Sequence, residues 1–366
     1  MGIGVFSDRG IRSLINDEII LSEEQISEEQ IQPCSLDLRL GRKGYCMPYS
    51  SLPKGKNIEE FLRNNKLDEI DLEKNKLLHK GKIYVFPLKE RLFLPDYLSA
   101  KANPKSSTGR IDVHVRLLTE GGTSFDNVSS GYRGSLWLEV YPLSFDLIAH
   151  ENVSLNQLRI FDKFPRKLSA EQLECLHEEE GLLFNKRDGK KNWRKFKQEE
   201  IRSFLFNDTL WSSIDLERKI TGYVAKSYAP PIDLRKRDLP ASAYFDIIKR
   251  NKEGLIIPKD SFNILSSAEL IKIPKGFCAE MVDIDTGSGE YRAHYAGFFD
   301  EGFHAQATLE FRNYGSTFLL KKGQKIAGLQ FYPLRQPAEK TYGGLPGSNY
   351  QGQEGPTLSK FFDMKK

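Results

Sequence analysis

The chain has only four cysteines (Cys34, Cys46, Cys175 and Cys278) and six histidines among its 366 residues. With so few, a disulfide framework is not expected, and with no C-x-x-C pair no zinc cluster can be assembled from such pairs. The cysteine usage suits a reducing compartment, so a cytoplasmic protein is expected. Uninterrupted apolar runs are equally scarce. None approaches the roughly 20 residues that cross a bilayer, so a soluble protein with no membrane partner is expected. Met1 to Gly10 contains no basic stretch followed by an apolar one, and Gly2 lacks a Ser or Thr at the myristoylation spacing, so no targeting segment is read there. Charge of one sign is also in short supply: Lys plus Arg total 54 against 50 for Asp plus Glu, a net +4. That is too little for nucleic-acid binding by bulk charge, and any anionic ligand must be held by a specific site. What is present is a 39% hydrophobic chain, long enough for about two to three average domains.

The chain reads as one unit used twice. Ser35-Leu36-Asp37-Leu38 with Gly44-Tyr45 recurs as Ser213-Ile214-Asp215-Leu216 with Gly222-Tyr223, an offset of 178 from Ser35 to Ser213. Leu94-Pro95-Asp96-Tyr97 recurs as Ile273-Pro274-Lys275-Gly276, an offset of 179. Leu136-Trp137-Leu138-Glu139-Val140 matches Ala307-Thr308-Leu309-Glu310-Phe311 at an offset of 171, so the first copy carries extra residues, placed around Gly121 to Ser130. Short β-branched and aromatic runs separated by Gly, Pro and Asn make each copy β-rich. A helix is expected after Ser7, with Ile11, Leu14 and Ile15 on one face. Three segments follow: a first domain over 1–165, a charged helical connector over 166–206 opened by Ser169 and Gln172 in capping-box spacing, and a second domain over 207–366. The connector's basic residues (Lys186, Arg187, Lys190, Lys191, Arg194, Lys195, Lys197) read as a solvated face.

Chemistry concentrates in three places. Pro104-Lys105-Ser106-Ser107-Thr108-Gly109-Arg110 can wrap a phosphate chain, with hydroxyls and backbone N–H groups donating while Lys105 and Arg110 offset charge. Its counterpart Ile284-Asp285-Thr286-Gly287-Ser288-Gly289 has lost the cation and the paired serines. The second copy instead has a compact aromatic hairpin, Ala293-His294-Tyr295-Ala296-Gly297-Phe298-Phe299-Asp300-Glu301-Gly302-Phe303, which the first stretches to Ser130-Gly131-Tyr132-Arg133-Gly134. Third, the Gly- and Gln-rich stretch Tyr342 to Pro356 reads as a mobile tail that orders over something polar.

Together these features resemble the dCTP deaminase family of the dUTPase-like superfamily. The resemblance is carried by Gln32 to Gly41, Ser106-Ser107-x-x-Arg110, Asp300-Glu301-Gly302-Phe303, Leu309-Glu310-Phe311-Arg312-Asn313 and the Tyr342 to Gln353 tail, in family order. It implies a mainly β chain of two tandem dUTPase-like β-barrel or β-clip domains with a helical connector. It also implies a zinc-free hydrolase in which a glutamate activates water to attack C4 of cytosine, giving dUTP and ammonia for thymidylate synthesis. His177-Glu178-Glu179 supplies half of a zinc-deaminase signature, but no cysteine pair completes it, and it reads as connector surface. Glu310 and Glu139 both fall on the family's catalytic glutamate, and Glu310 is favoured by the intact hairpin beside it. A glutamate needs desolvation to act as a base at neutral pH, which Phe299, Phe303 and the tail would provide as a roof.

The resemblance further implies that Arg110 holds the developing charge and Ser106 positions the water. Lys105 and Ser107 would bind phosphate, backbone near Ala296 would read the base edge, and Asp300 would sit beside Glu310. Tyr342, Asn349 and Gln353 fall on the tail positions that grip sugar and triphosphate, with Mg²⁺ accompanying the phosphates. Lys105 departs from the usual arginine and Asn349 from the usual lysine. The implied assembly is a homo-oligomer, a trimer by preference, in which the serine/arginine loop of one subunit meets the hairpin of another. Two alternatives stand beside dUTP production: a dUTPase or bifunctional enzyme releasing dUMP and pyrophosphate, with which Asp37 is compatible, and a nucleotide-sensing module that binds without turnover.

Overall fold

The computed structural model describes every residue except 1–2, 54, 56, 75, 163–164, 187–192, 283–290, 294–295, 345–347 and 364–366. The chain divides into two compact units. The first combines Met1–Pro165 with two later segments, Ser227–Tyr244 and Ser359–Lys366. The second combines Arg166–Lys226 with Phe245–Leu358.

In the first unit one sheet runs in the order Asp68–Asp71, Lys43–Met47, Ile83–Phe93, Arg133–Pro142, Val113–Thr119, with Ile20–Ser22 added on Ile83–Phe93. The other runs Asn127–Val128, Leu98–Pro104, Ser154–Asp162, Ser35–Arg39, Ile31–Gln32. Period-two burial explains these strands: in Leu98–Pro104 the residues Leu98, Ala100, Ala102 and Pro104 face inward. The helix Asp8–Asn16 starts after Ser7 and buries Ile11 and Leu14.

The second unit repeats the plan. A seven-stranded sheet contains Phe262–Lys272 paired with His304–Asn313, and a five-stranded sheet contains Thr209–Ser213, Lys325–Pro333 and Phe277–Val282. Its core includes Leu265, Ile271, Leu309, Phe311 and Phe331. Among the described residues, no helix is long and apolar enough to cross a membrane.

The expectation of two tandem barrel or clip domains joined by a helical connector is corrected. The mainly β composition holds, but among the described residues the sheets are separate and open, each strand order running from one edge to another without closing. The units are not simply tandem either, because 227–244 and 359–366 return to the first. Nor is the 166–206 span a connector: it is part of the second unit. Its helix Ala170–Glu180, opened by the reciprocal Ser169–Gln172 capping box, buries Leu173 and Leu176 in that unit's core. Two strands follow, Leu183–Lys186 and Trp193–Lys195. Of its basic tract, Lys186 pairs with Glu354 at 3.1 Å and Arg194 with Glu200 at 2.9 Å, while Arg187, Lys190 and Lys191 lie outside the described residues.

Strand register sharpens the repeat. Leu40 bridges Leu88 as Ile214 bridges Ser267, and the buried Glu90 accepts from Arg39 N where Glu269 accepts from Ser213 N. Ser35–Arg39 therefore corresponds to Thr209–Ser213, and not to the run starting at Ser213. The pairing of Gly44 with Ile70 and of Gly222 with Ile248 keeps the Gly-Tyr landmarks aligned, so the second copy has the longer loop between these strands. Asp37 thus aligns with Trp211 and has no acidic counterpart.

Candidate active site

Glu310 lies on the strand His304–Asn313, opposite Ile264, and is 2% exposed. Its Oε2 accepts a hydrogen bond from Ala296 N at 2.8 Å, which orients the carboxylate from the neighbouring chain segment. The turn between these residues and the strand closes through Phe303 N donating to Asp300 O at 3.1 Å. Gly302 takes φ +89°, and a side chain there would collide with Thr341 Cβ, so the turn demands glycine. Phe299 and Phe303 stack edge to face at 5.0 Å within the second unit's hydrophobic core. His294, Tyr295 and the whole Ile284 to Gly289 stretch lie outside the described residues.

Glu301, which the sequence reading passed over, is fully buried and accepts from Ala338 N at 2.7 Å, while its carbonyl accepts from Tyr342 N at 2.8 Å. A glutamate buried in a D-E-G-F turn was the available signal. The tail then folds onto the same end of the sheet. Gln351 accepts from His304 N at 3.0 Å and donates to Gly302 O at 2.9 Å, and Gln353 Nε2 donates to Gln306 O at 2.8 Å. Tyr342 accepts at its hydroxyl from Tyr350 N at 3.2 Å, and Asn349 is exposed. Tyr342 and Gln353 therefore hold the tail to its own unit, and amide side chains that looked available for a ligand make backbone bonds.

Glu139 holds the same strand position in the first unit. It is 2% exposed and lines a pocket with Tyr49, Phe61, Leu62 and Leu118. Burial pushes its carboxyl above the usual carboxylate range, against a hydrogen bond from Ser50 and the charge of Arg116, whose Nε is 3.8 Å away. The cover is the helix Ile58–Asn65, capped by Asn57, whose Ile58 and Leu62 pack with Met47, Val85 and Trp137. That helix belongs to the excursion between Lys43–Met47 and Asp68–Asp71. The matching excursion of the second copy, between Gly222–Ala225 and Phe245–Ile248, contains 227–244 and belongs to the first unit.

The loop after Leu98–Pro104 forms a single helical turn, Ser106–Gly109. Ser107, Thr108 and Arg110 are buried, Ser106 is half-buried, and Lys105 forms an ion pair with Asp37. Lys105, Ser106, Ser107 and Arg110 are thus together on one turn of the first unit, while Ala296, Asp300 and Glu310 are together in the second. His177 is corrected as well. It is not surface but fully buried, with Nε2 2.9 Å from Phe196 O and Nδ1 accepting from Leu182 N at 3.0 Å, and burial lowers its pKa. Among the described residues, no three His, Cys, Asp or Glu side chains gather as a metal site.

Comparison with known proteins agrees with this duplicated arrangement. Residues 2–163 match the 2'-deoxycytidine 5'-triphosphate deaminase N-terminal domain and 169–362 match its C-terminal domain. The crystal structure of 2'-deoxycytidine 5'-triphosphate deaminase from Agrobacterium tumefaciens superposes with a TM-score of 0.82 at 32% identity, over 91% of this chain and all of that one. A dUMP-forming dCTP deaminase of Beutenbergia cavernae is 37% identical over 112 residues, 30% of this chain and 58% of the relative. A dCTP deaminase of Haloarcula marismortui is 46% identical over 117 residues, 31% of this chain and 60% of the relative. The chain thus spans less than two thirds of the length of these two curated relatives. Six such relatives carry the dUMP-forming name, which overturns the expectation of a deaminase that stops at dUTP and favours the dUMP-releasing alternative. The chain belongs to the two-domain 2'-deoxycytidine 5'-triphosphate deaminase family.

Proposed function

We propose that this chain converts dCTP to dUMP. Water adds to C4 of the cytosine and ammonia leaves; a second water cleaves the bond between the α- and β-phosphates and releases pyrophosphate. The observation that supports the deamination half is Glu310, a buried carboxylate oriented by Ala296 N, while its counterpart Glu139 lies beneath the first unit's own helix. Glu310 takes the proton from water and returns it to the departing amine. Ser106 positions that water, Arg110 offsets the charge that develops, and backbone near Ala296 reads the base edge beside Asp300.

Lys105 and Ser107 bind phosphate oxygens. Asp37, paired with Lys105 at the start of this loop, orients water toward the phosphate chain; that pairing is what supports the second half. Mg²⁺ arrives as part of the substrate, on the triphosphate. The working form is a cytoplasmic homo-oligomer, a trimer by preference, in which the loop of one chain completes the Glu310 site of another.

The test is incubation with dCTP and Mg²⁺, followed by ³¹P NMR and ammonia release. Ammonia, pyrophosphate and dUMP in equal amounts are expected. Ammonia without pyrophosphate, or binding without turnover, overturns the proposal.

A further inference from the structure

Within the first unit, the Lys105 to Arg110 loop is met by two segments from far along the chain. Ser359 Oγ donates to Ser107 O at 2.8 Å. Beyond it, Phe362–Asp363 lies parallel to Leu239–Pro240, and Leu239 N donates to Phe361 O at 3.1 Å. Arg237 donates to the carbonyls of Leu234 and Lys236 at 3.0 and 2.7 Å and lies over the Phe361 ring, its guanidinium carbon 4.8 Å from the centroid. Lys360 follows Ser359, which is bonded to the loop, and precedes Phe361, which lies under Arg237.

The electrostatics agree with that placement. Burial and the like charges of Lys105 and Arg237 push the Lys360 ammonium down to about 8, outweighing the opposing pull of Asp37. Three cations that bear on one loop, with Asp37 as the acidic group beside Lys105, suit a polyanion, and Ser106 and Ser107 stand at the same turn.

We propose that Lys360 and Arg237 join Lys105 in a three-cation cradle that holds the phosphate chain of the nucleotide. This rests on the reading above that the ligand is a nucleoside triphosphate. The cradle supplies the phosphate cation that Asn349 does not, and a guanidinium fixed over Phe361 offers the two-point phosphate contact that Lys105 cannot make. Lys360 stands in no motif, and only folding brings it to the loop.

Binding of inorganic triphosphate to the full chain, followed by titration calorimetry at pH 8, tests this without requiring turnover. Wild type binds, and takes up protons as the anion raises the pKa of Lys360, which is read from the dependence of the heat on buffer ionisation. Lys360→Met and Arg237→Gln each weaken binding about tenfold; Lys360→Met also abolishes the proton uptake, and Lys360→Arg restores affinity. A lysine with a merely structural role would leave the proton uptake unmoved. Failure of wild type to bind triphosphate, or unchanged affinity in a folded Lys360→Met, overturns the cradle. If triphosphate binds through Lys360 but dCTP yields no dUMP, the cradle stands and the proposed reaction fails; dUMP formation with Lys360-independent binding has the opposite meaning.

Discussion

Replacing Glu310 by glutamine separates geometry from proton transfer. The amide oxygen can still accept from Ala296 N, which lies 2.8 Å from the native carboxylate. The stability lost is then the difference between a charge-assisted and a neutral hydrogen bond, about 1 kcal/mol. The proton acceptor, however, is gone. A positioned general base is worth about 10²–10⁴-fold in rate, or roughly 3–5 kcal/mol of barrier. Ammonia release at saturating dCTP and Mg²⁺ should fall by that factor in Glu310→Gln, while dCTP binding measured by calorimetry stays within about threefold of wild type. Glu139→Gln, measured beside it, should release ammonia as wild type does, because the pocket around Glu139 is lined by Phe61 and Leu62 of the first unit's own helix. Loss of ammonia release in Glu139→Gln with retention in Glu310→Gln would assign the chemistry to the wrong unit. Retention in both would refute the glutamate mechanism.

The two buried carboxylates differ in what removing a partner exposes, and pH reports on a third. Arg39→Met leaves Glu90, fully buried, without the guanidinium at 2.8 Å and should cost about 3–5 kcal/mol in urea unfolding. Ser213→Ala removes one hydroxyl from Glu269 but keeps the backbone N–H at 2.7 Å, and should cost about 1–2 kcal/mol; equal losses would refute the distinction. Because burial raises the folded-state pKa of Glu139, its contribution to stability is present at acid pH and is lost as pH rises through that raised value. Glu139→Gln should therefore melt higher than wild type at pH 8 and show a flatter pH profile; an identical melting shift at pH 4 and pH 8 would contradict it.

Much of this was legible because local chemistry and global packing agree. Ser169 and Gln172 announce their capping box in the spacing alone, and the box forms. Glu139 and Glu310 sit at one repeat offset and occupy one strand position, opposite Val85 and Ile264. The extra residues of the first copy do fall between Val113–Thr119 and Arg133–Pro142. Other features resist reading for physical reasons. Ser213-Ile214-Asp215-Leu216 imitates Ser35-Leu36-Asp37-Leu38 in letters, but pairing is decided by burial and ladder bonds, which select Thr209–Ser213. The glutamines of the tail look like ligand donors until the folded chain shows them satisfying His304, Gly302 and Gln306.

The packing of the two excursions is the clearest case of information that no window of sequence contains. Both copies send about 20 residues out from the same sheet edge, after Met47 and after Ala225. The first excursion has Ile58 and Leu62 a helical turn apart, and their burial against Met47 and Val85 draws it back over Glu139. In the second, Pro230-Pro231 interrupts any helix, and the chain instead runs as Ile232–Asp233 beside Leu147–Ile148. It is held in the first unit by His150 Nε2 at 2.8 Å from Asp233 and by Tyr244 packed edge to face on Phe145. The excursion is thus packed into the first unit. Putting helix-forming residues in place of Pro230 and Pro231 should not by itself release it, because His150, Phe145 and the Leu147–Ile148 strand would still hold the segment. Release would require removing those anchors as well, and loss of amide protection at Ile232 and Leu234 in a double proline-to-alanine variant that keeps its stability would show that local helix propensity, not the competition for burial, decides where the segment packs.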